Sequence, residues 1–457
     1  MKLPSARSED SEGAKSGRWG AVSLDNLNPR FDPAARTQAG TAAGLYARAL
    51  GDLARRADES IALSIKLPFC AAQCWCCERE VQVAQPRAVI DDYLLGLIDE
   101  IERVGERAGG RRDVLQLQLG GGSANELSES QLARLADTLQ RAWHLPGDAE
   151  MSAECDPRLA GFVQLGVLRG LGFRHIRFGM PDLDEDVQRA IGRRHSVALI
   201  DDVCGLARES RIECIELELM LGLPHQDLER WRVTLQHVLA MAPDRVTLSR
   251  FRHRPGLAPA QRVIDPAALP DAAECAAMAA LSAKLLCDAG YCWVGADLFV
   301  LESDPLWLAC EQGRLRRSLI GYTAHASTAL LGLGARAVGE IDGHLFWNEA
   351  SVPAWRQSLR QGALPVAQVQ PGSDEHAQRR RAIEALMCDL ELPQSSASGA
   401  LAPGYERLAR HEGSGWVQRL GDRVVVTQAG RHELPALCAA LAGPFATPHE
   451  QEPPWRC

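Results

Sequence analysis

The 457-residue sequence lacks three features that would assign it to a common class of protein. No apolar run approaches the roughly 20 residues that cross a bilayer, and the charged residues 1–20 are followed by no apolar stretch of a secretory signal. There is no excess of positive charge either: the formal net charge is -9, which gives no electrostatic reason to bind nucleic acid or an anionic membrane. We therefore expect a cytoplasmic protein, in which local arginine clusters can still bind small acidic ligands.

The sequence does contain fourteen cysteines, and most of them stand alone in apolar stretches. We expect these isolated cysteines to be small buried residues with reduced thiols. They include Cys204, Cys214, Cys275, Cys287, Cys388 and Cys438. The exception is a cluster that is too dense for packing alone and indicates a metal centre. Its members are Cys70, Cys74, Cys76 and Cys77.

Short apolar runs alternate with amphipathic stretches over residues 59–300. The predicted strands are Ile61–Leu67, Val114–Leu119, Glu150–Glu154, His175–Phe178, Cys214–Leu221 and Arg245–Ser249. Helical patterns lie near residues 88–107, 129–142, 158–171, 184–191, 197–210, 227–241 and 271–289. This alternation predicts an α/β fold, with a partial (β/α)6 barrel that resembles an incomplete TIM barrel. Ligands of such folds lie at the carboxyl ends of the strands.

The flanking segments have a different composition. We predict an N-terminal arm over residues 1–58, partly disordered and with a helix over 36–57, and an extension of the barrel over 301–367. Residues 368–442 are predicted to form a mainly helical domain similar to a winged helix, with a hairpin at Trp416–Val426 and a helix near residues 431–442. Because it has no basic recognition helix, packing or covering is favoured over DNA binding. Residues 443–457 contain four prolines and are predicted to be an extended tail.

The cysteine cluster follows the first predicted strand and has the spacing CxxxCxxC in Cys70, Cys74 and Cys77. Three thiolates in one loop can hold a [4Fe–4S] cluster whose fourth iron has no protein ligand. That iron can chelate S-adenosylmethionine (SAM) and pass an electron to its sulfonium, which yields a 5'-deoxyadenosyl radical. A zinc site is an alternative, although the adjacent Cys76 and Cys77 are poorly placed to bind one ion. A redox pair of Cys74 and Cys77 is another, although it leaves Cys70 unexplained.

Residues after the following strands support a cofactor site. Gly120–Gly122 would let the backbone approach a ligand closely. Glu154 can accept hydrogen bonds from a ribose or amino group, and Arg193 can pair with a carboxylate through its planar fork. Glu218 lies among apolar residues, where an unpaired carboxylate is costly. Taken singly, Glu154 and Arg193 are explained better as surface or helix-end charges, so only the combination points to a site.

The combined pattern resembles the oxygen-independent coproporphyrinogen III oxidase (coproporphyrinogen dehydrogenase) family of radical SAM enzymes, over about residues 60–440. The matching segments include Pro68–Cys70, Gly120–Gly122, Asp156–Arg158, Asp186–Arg189, Gly222–Pro224, Pro243–Arg245 and Gly321–Thr323. The resemblance implies a [4Fe–4S] cluster, one SAM, and hydrogen removal from a propionate of a porphyrinogen, which then loses carbon dioxide and becomes a vinyl group. It further implies a tetrapyrrole substrate, haem biosynthesis, a reducing donor such as flavodoxin or ferredoxin, and a monomer.

The resemblance also implies roles for individual residues. The cluster ligands would be Cys70, Cys74 and Cys77. The cofactor-binding residues would be Ser64, Phe69, Cys76, Gly121, Gly122, Ser123, Glu154, Pro181, Arg193, Glu218 and Met220. The substrate would meet Arg250, Arg252 and His325, with Arg254, Arg316 and Arg317 as further candidates for its carboxylates.

The chain departs from the family pattern at several of these positions, so it is expected to be a divergent member. Pro181 stands where the family has a glutamine associated with a second SAM, Cys76 replaces an aromatic residue and Arg79 a cysteine. The tyrosine-rich N-terminal arm of the family is reduced to Asn28–Phe31. The other replaced positions include Ser64, Glu218, Leu221, Leu298, His325 and Ala329. A second SAM therefore stays open. So do two alternatives: another radical SAM reaction, such as methyl transfer or cyclopropane formation, and a haem-binding or haem-delivery protein.

Overall fold

The structure is a computed structural model that describes residues 39–394 and 399–442. The predictions for residues 1–20, for Asn28–Phe31 and for the tail 443–457 lie outside the described residues. The strands are β1 Ile61–Leu67, β2 Phe69–Cys70, β3 Gln82–Val83, β4 Val114–Gly121, β5 Glu150–Cys155, β6 His175–Gly179, β7 Cys214–Leu221, β8 Arg245–Arg250, β9 Tyr291–Val294, β10 Leu298–Leu301, β11 Arg316–Ser318, β12 Gly321–Thr323, β13 Ala329–Leu333, β14 Val338–Ile341, β15 His344–Asn348, β16 Val366–Gln370, β17 Glu391–Pro393, β18 Val417–Leu420 and β19 Arg423–Val426. The helices are α1 Ala39–Ala54, α2 Arg87–Arg107, α3 Glu129–Ala142, α4 Phe162–Gly170, α5 Glu185–Ala190, α6 Val197–Glu209, α7 Leu228–Met241, α8 Ala272–Asp288, α9 Pro305–Glu311, α10 Val352–Arg360, α11 Asp374–Cys388, α12 Ala402–Ala409, α13 Gln428–Arg431 and α14 Leu434–Ala442.

Six parallel strands form the centre of a twelve-stranded sheet, in the order β1-β4-β5-β6-β7-β8. Helices α2, α3, α4, α6 and α7 lie between successive strands along the chain. Short buried strands that alternate with amphipathic helices give this arrangement because each crossover helix covers the sheet it leaves. The predicted partial (β/α)6 barrel is confirmed.

The sheet continues on both sides of the barrel. Strand β13 pairs parallel with β1, and β14, β15 and β16 follow as antiparallel neighbours. Beyond β8, strands β10 and β9 add an antiparallel edge. The barrel therefore stays open, and its interior is accessible from the carboxyl ends of the strands. The division of the chain at residues 59, 301, 368 and 443 stays a prediction.

The main core lies between the sheet and its helices. Helix α1 belongs to it, because Ala42, Tyr46 and Leu50 are buried there. The ring of Tyr46 lies 4.8 Å from that of Phe346 on β15. Burial of each large apolar side chain of this kind stabilises the fold by about 1.5–3 kcal/mol. The interior of the molecule thus includes the helix that precedes the barrel.

The isolated cysteines follow the prediction only in part. Cys204, Cys388 and Cys438 are buried with free thiols, as expected, whereas Cys214 has a free thiol but is only partly buried. Cys287 is exposed, because it lies near the end of α8. Cys275 forms a disulfide. The expectation of a buried, reduced thiol is therefore wrong at these last two positions.

The helices begin where side chains can bond their first backbone amides. Ser128 and Gln131 form a capping box at α3, and Asp271 and Glu274 form another at α8. The predicted helix over 158–171 begins later, at Phe162, because the preceding residues form a short 3-10 turn. Among the described helices, none has both the length and the hydropathy needed to cross a bilayer.

The C-terminal part has a core of its own, built from α11, α12, α14 and the three-stranded sheet β17-β19-β18. The hairpin β18–β19 turns at Gly421, whose φ of 61° suits a glycine. The helix predicted near 431–442 consists of two shorter helices, α13 and α14. A mainly helical domain with a hairpin is thus confirmed.

Candidate active site

A cavity of ≈ 1780 Å³ occupies the interior of the partial barrel. The loop after β1 and residues of β4 to β8 line it, and so do Trp416 and His432 of the C-terminal part. Pockets for a single small molecule range from about 300 to 1,000 Å³. This cavity therefore has room for a cofactor and a large second molecule together.

The cysteine loop lies at the carboxyl end of β1. Its start is held by the pairing of β2 with β3. Further along, the backbone N–H of Trp75 donates to the carbonyl of Ile191 at 2.8 Å. These contacts hold the loop so that Cys70, Cys74 and Cys77 all line the cavity.

The residues present fit an iron–sulfur cluster. The thiols of Cys70, Cys74 and Cys77 are free. Nη1 of Arg193 donates to Sγ of Cys74 at 3.1 Å, and the backbone N–H of Arg79 donates to Sγ of Cys77 at 3.3 Å. Hydrogen bonds to ligand sulfurs are a common means by which proteins tune such clusters. Across residues 39–394 and 399–442, no three His, Cys, Asp or Glu side chains are placed to hold a single metal ion.

Cys76 differs from its three neighbours, although it borders the cavity. It is buried and packs with Val187, Ile191 and Phe251 in a small apolar cluster. Burial raises the pKa of its thiol, as it also does for Cys70 and Cys77, so the distinction rests on its burial and packing. A protonated, buried thiol behaves as a small hydrophobic residue. The structure therefore separates Cys76 from the three candidate ligands.

The glycine triplet brings the cysteine loop against the end of β4. A Cβ on Gly122 would clash with the Phe69 carbonyl and lie 2.7 Å from the Leu67 carbonyl oxygen. A Cβ on Gly120 would lie 2.6 Å from the carboxyl carbon of Glu154. The sequence suggested close approach to a ligand, but here the chain's own backbone and a carboxylate take up the space.

Glu154, on β5, lines the cavity and has several polar contacts. It forms an ion pair with Arg79 and accepts hydrogen bonds at 3.3 Å from Nε2 of Gln118 and from the backbone N–H of Gly121. Burial raises the pKa of this carboxyl, but the Arg79 guanidinium and other nearby cations outweigh it and hold the pKa at about 2. Glu154 is therefore an ionised hydrogen-bond acceptor at neutral pH.

A carboxylate that the sequence analysis missed lies two residues before Glu218. Glu216 is only 1% exposed, and its oxygens lie 2.7 Å from Nε2 of His175 and 2.8 Å from Nε of Arg177. It also accepts a hydrogen bond of 2.6 Å from Thr247. Burial raises its pKa, but the Arg177 charge and these bonds lower it overall. The signal was present, since alternate residues of a strand share a face and both glutamates belong to β7.

Glu218 itself lines the cavity. Burial raises the pKa of its carboxyl, and the charges of Arg177 and Arg79 oppose this. Its neighbour in the sheet is Gly179 of β6, whose carbonyl accepts a hydrogen bond from Arg193. The buried carboxylate therefore has cations nearby that offset part of the cost of its burial.

Arg193 joins the cysteine loop to the ends of two strands. Its Nη2 donates to the carbonyl of Gly179 at 2.7 Å and lies 3.6 Å from Oδ1 of Asp156. Its Nε is buried and has no hydrogen-bond partner within the described ranges. A buried N–H without an acceptor is costly, so this atom is suited to receive a carboxylate from a ligand.

The remaining predicted cofactor residues fall into two groups. Those that line the cavity are Ser64, Gly121, Gly122, Ser123, Pro181 and Met220. Phe69 does not line it, because its side chain is buried and packs edge-on against Tyr93 with the ring centres 5.2 Å apart. Phe69 therefore supports the loop from within the core.

The predicted substrate arginines reach the cavity but already have protein contacts. Arg250 and Arg252 both line it. Nη2 of Arg250 donates to the carbonyl of His432 at 2.6 Å, which ties the barrel to the C-terminal part. Nη2 of Arg252 donates to Glu78 at 3.1 Å. Of the further candidates, Arg317 lines the cavity, whereas Arg254 and Arg316 do not.

The structure does not bring His325 to the cavity. Its Nε2 lies 3.7 Å from Oε1 of Glu150, at the first residue of β5. The cysteine loop is at the opposite end of the strands, because parallel strands present their amino ends together at one edge. The expected substrate contact of His325 therefore has no support.

Known proteins share this sequence pattern and architecture. The model of the Radical SAM superfamily matches residues 64–238. The oxygen-independent coproporphyrinogen III oxidase of Synechocystis sp. is 30% identical over 383 residues, which are 81% of this chain and 82% of that protein. The enzyme of the same name from Bradyrhizobium diazoefficiens is 31% identical over 406 residues, which are 87% of this chain and 90% of that protein.

A solved structure extends the likeness to three dimensions. Coproporphyrinogen III oxidase from Escherichia coli, described as a radical SAM enzyme, superposes with a TM-score of 0.81 at 28% identity. The alignment covers 88% of this chain and 93% of that one, so it includes more than the barrel. The radical SAM superfamily implies the [4Fe–4S] cluster and the SAM that the cysteine loop predicts. This chain belongs to the oxygen-independent coproporphyrinogen III oxidase family of radical SAM enzymes.

Proposed function

We propose that this chain is an oxidoreductase that converts propionate side chains of coproporphyrinogen III to vinyl groups without oxygen, in haem biosynthesis. The observation that carries the proposal is one continuous cavity of ≈ 1780 Å³, which is lined by the three candidate cluster cysteines and also by arginines and carboxylates. A tetrapyrrole with several propionates is large and anionic, so it needs both the volume and the cations. Family membership supports the same reaction.

The residues divide the work of holding the cofactors. Cys70, Cys74 and Cys77 would ligate the [4Fe–4S] cluster. Glu154 would accept hydrogen bonds from the ribose or amino group of SAM, and Arg193 would pair with the SAM carboxylate. When bound, these cofactors supply the 5'-deoxyadenosyl radical that takes a hydrogen atom from the substrate.

The rest of the cavity wall would orient the substrate and exclude water. Arg250 and Arg252 place cationic side chains on the wall. Trp416 and His432 cover the cavity from the C-terminal part, which protects a radical centre from solvent. Pro181 has no side-chain group that could bind a second SAM, so we propose that one SAM is used.

The proposal extends to the cellular setting. The electron would come from a reducing carrier such as flavodoxin or ferredoxin, and the chain would act as a monomer in the cytoplasm. Of the described cysteines, twelve are free and Cys275 is in a disulfide, so the proposed compartment rests on the sequence pattern and not on the thiols.

The reaction is tested by anaerobic reconstitution with iron and sulfide, followed by dithionite, SAM and coproporphyrinogen III. We expect 5'-deoxyadenosine together with a vinyl-bearing porphyrinogen. Cys74→Ala should abolish both products, because a candidate cluster ligand is lost. Cys204→Ala is the matched control, since this cysteine is buried in α6 and its loss should leave both products in place.

Other outcomes would redirect the assignment. Nucleoside without conversion of the porphyrinogen would keep the radical chemistry and exclude this substrate. If a fully assembled cluster gave no nucleoside, while added haem gave a stable Soret band, a haem-binding protein would be the better assignment.

A further inference from the structure

Arg79 is held at its base by the cysteine loop and is open to the cavity at its tip. It lies two residues after Cys77, to whose Sγ its backbone N–H donates at 3.3 Å. Its side chain lines the cavity and is 49% exposed. Among the described residues it has one ion-pair partner, Glu154. A cation thus stands beside the place where the cluster would be held.

Two other arginines of the cavity already make several bonds within the protein and are less exposed than Arg79. Arg245 makes two hydrogen bonds to Asp304, at 2.7 and 3.0 Å. Arg193 is divided between Sγ of Cys74 and the carbonyl of Gly179. Both side chains are largely buried. Compared with them, the Arg79 guanidinium has more of its surface available to a ligand.

The ion pair between Arg79 and Glu154 is open on the arginine side, because Arg79 is 49% exposed whereas Glu154 is largely buried. Glu154 also accepts hydrogen bonds from Gln118 and from the backbone N–H of Gly121, and these bonds would remain if Arg79 turned to another carboxylate. A guanidinium has five N–H donors, of which Glu154 uses one. A second carboxylate that presents both oxygens in one plane would match the free side of the fork. The propionates of a porphyrinogen are carboxylates of this kind.

We propose that Arg79 is a specificity-determining residue that binds a propionate of the substrate, which replaces Glu154 as its partner. The inference rests on the proposed function, because the carboxylate belongs to the tetrapyrrole. It assigns a position for one edge of the substrate, next to the cysteine loop.

The test measures binding of coproporphyrin III, the stable oxidised form of the proposed substrate, to the reconstituted protein under anaerobic conditions without SAM. Titration with coproporphyrin III, followed in its Soret band, should show that Arg79→Gln raises the Kd by about tenfold or more, since a charge-assisted hydrogen bond is lost. Arg79→Lys keeps the charge but loses the planar fork, so its Kd should lie between those of the unaltered chain and Arg79→Gln. Arg174→Gln is the matched control: Arg174 is 42% exposed, lines the cavity at the amino end of the strands and pairs with Glu213. Arg174→Gln should bind coproporphyrin III with a Kd within about twofold of that of the unaltered chain.

A second variant distinguishes exchange from a structural role of Arg79. Glu154→Gln removes the competing charge, so it should tighten coproporphyrin binding severalfold, and only while Arg79 is present. Iron content per chain verifies that each variant has assembled its cluster. Glu154→Gln changes no residue of the cysteine loop. It therefore tests the exchange even if Arg79→Gln does not assemble its iron–sulfur cluster.

Two results would overturn the inference while the reaction stands. The first is an equal Kd for the unaltered chain and for Arg79→Gln. The second is tighter coproporphyrin binding by Glu154→Gln that persists when Arg79→Gln is combined with it. If the unaltered chain does not bind coproporphyrin III at all, both the inference and the proposed substrate fail.

Discussion

Gly122 sets the distance between the cysteine loop and the end of β4. The Cβ of an alanine would press on the carbonyl of Phe69 and lie 2.7 Å from that of Leu67. Both are backbone atoms, so neither can rotate away. We expect Gly122→Ala to displace the loop and to cause a large loss of the iron and sulfide retained per chain after anaerobic reconstitution.

The control for this substitution is Gly205→Ala in α6. A Cβ at Gly205 would meet open space, and alanine in a helix is more stable than glycine by about 0.5–1 kcal/mol. This variant should retain its iron and melt at the same or a slightly higher temperature. Full cluster content in Gly122→Ala would show that the loop tolerates the shift.

Individual residues of the site differ in how far the sequence predicts them. Cys70, Cys74 and Cys77 are found from spacing alone, because all three candidate ligands lie in one loop. The ion pair of Arg79 with Glu154 joins residues 75 positions apart, and it exists because the cysteine loop folds over the end of β5. Spacing carries no information on such a pair. For the same reason, the place of Phe69 next to Cys70 in the sequence does not reveal that its side chain packs into the core.

At the level of elements, local patterns predict what local physics decides. The strand Cys214–Leu221 and the helix 129–142 were predicted with their observed bounds, since burial on a parallel sheet and an amphipathic face are visible in short windows. The pairing of β13 with β1 was not predictable in this way, because it joins Ile61 to Ala329. The split of the last helix into α13 and α14 was also missed.

Helix α13 contributes one of the residues that attach the C-terminal part to the rest of the molecule, beside the bond from Arg250 to His432. Nε of Arg431 donates to the carbonyl of Gly295 at 2.8 Å, and Nη2 donates to that of Trp293. The guanidinium also lies 4.4 Å from the centre of the Trp293 ring. Loss of these bonds and of the cation–π contact should weaken the attachment by about 1–3 kcal/mol. We expect Arg431→Ala to increase hydrogen–deuterium exchange at this interface.

Arg419→Ala is the matched control for this attachment. Arg419 lies on β18 of the same part and pairs with Glu412, with no barrel partner among its described contacts. Its loss should leave exchange at the interface unchanged. Equal protection in both variants would mean that other contacts, such as Arg250 with His432, are sufficient.

Across the whole molecule, Glu100 of α2 joins the barrel to the extension of its sheet. It is 1% exposed. Its carboxyl accepts hydrogen bonds from the backbone N–H of Gly334 at 2.8 Å, from Asn348 at 2.6 Å and from Nε1 of Trp355 at 2.9 Å. These partners follow β13, end β15 and lie in α10. One buried carboxyl thus connects four separate segments.

Glu100 gives the stability of the protein a defined dependence on pH. Burial raises the pKa of this carboxyl to about 7 from 4.5, although its three hydrogen bonds lower it in part. Between these values the folded chain keeps a proton that the unfolded chain releases. The contribution of Glu100 to the free energy of unfolding should therefore fall by about 3 kcal/mol as pH rises from about 4.5 to 7, and it should be constant above pH 7. Thermal melts from pH 5 to 8 measure it.

The control for this pH dependence is Glu100→Gln, which cannot titrate. Its amide has one oxygen for three donors, so it should be less stable than the unaltered chain at pH 5, where the carboxyl is protonated. Because only the unaltered chain loses stability as its carboxyl ionises, the gap between the two melting curves should narrow towards pH 7. Glu102→Gln, on the same helix and half-exposed, should follow the unaltered chain. Parallel curves for Glu100→Gln and the unaltered chain would place the titration elsewhere. Only the difference between the two curves isolates Glu100, because burial also raises the pKa of the Glu218 and Asp182 carboxyls and lowers the pKa of His195. Those groups titrate alike in both chains, so their contributions cancel in the difference.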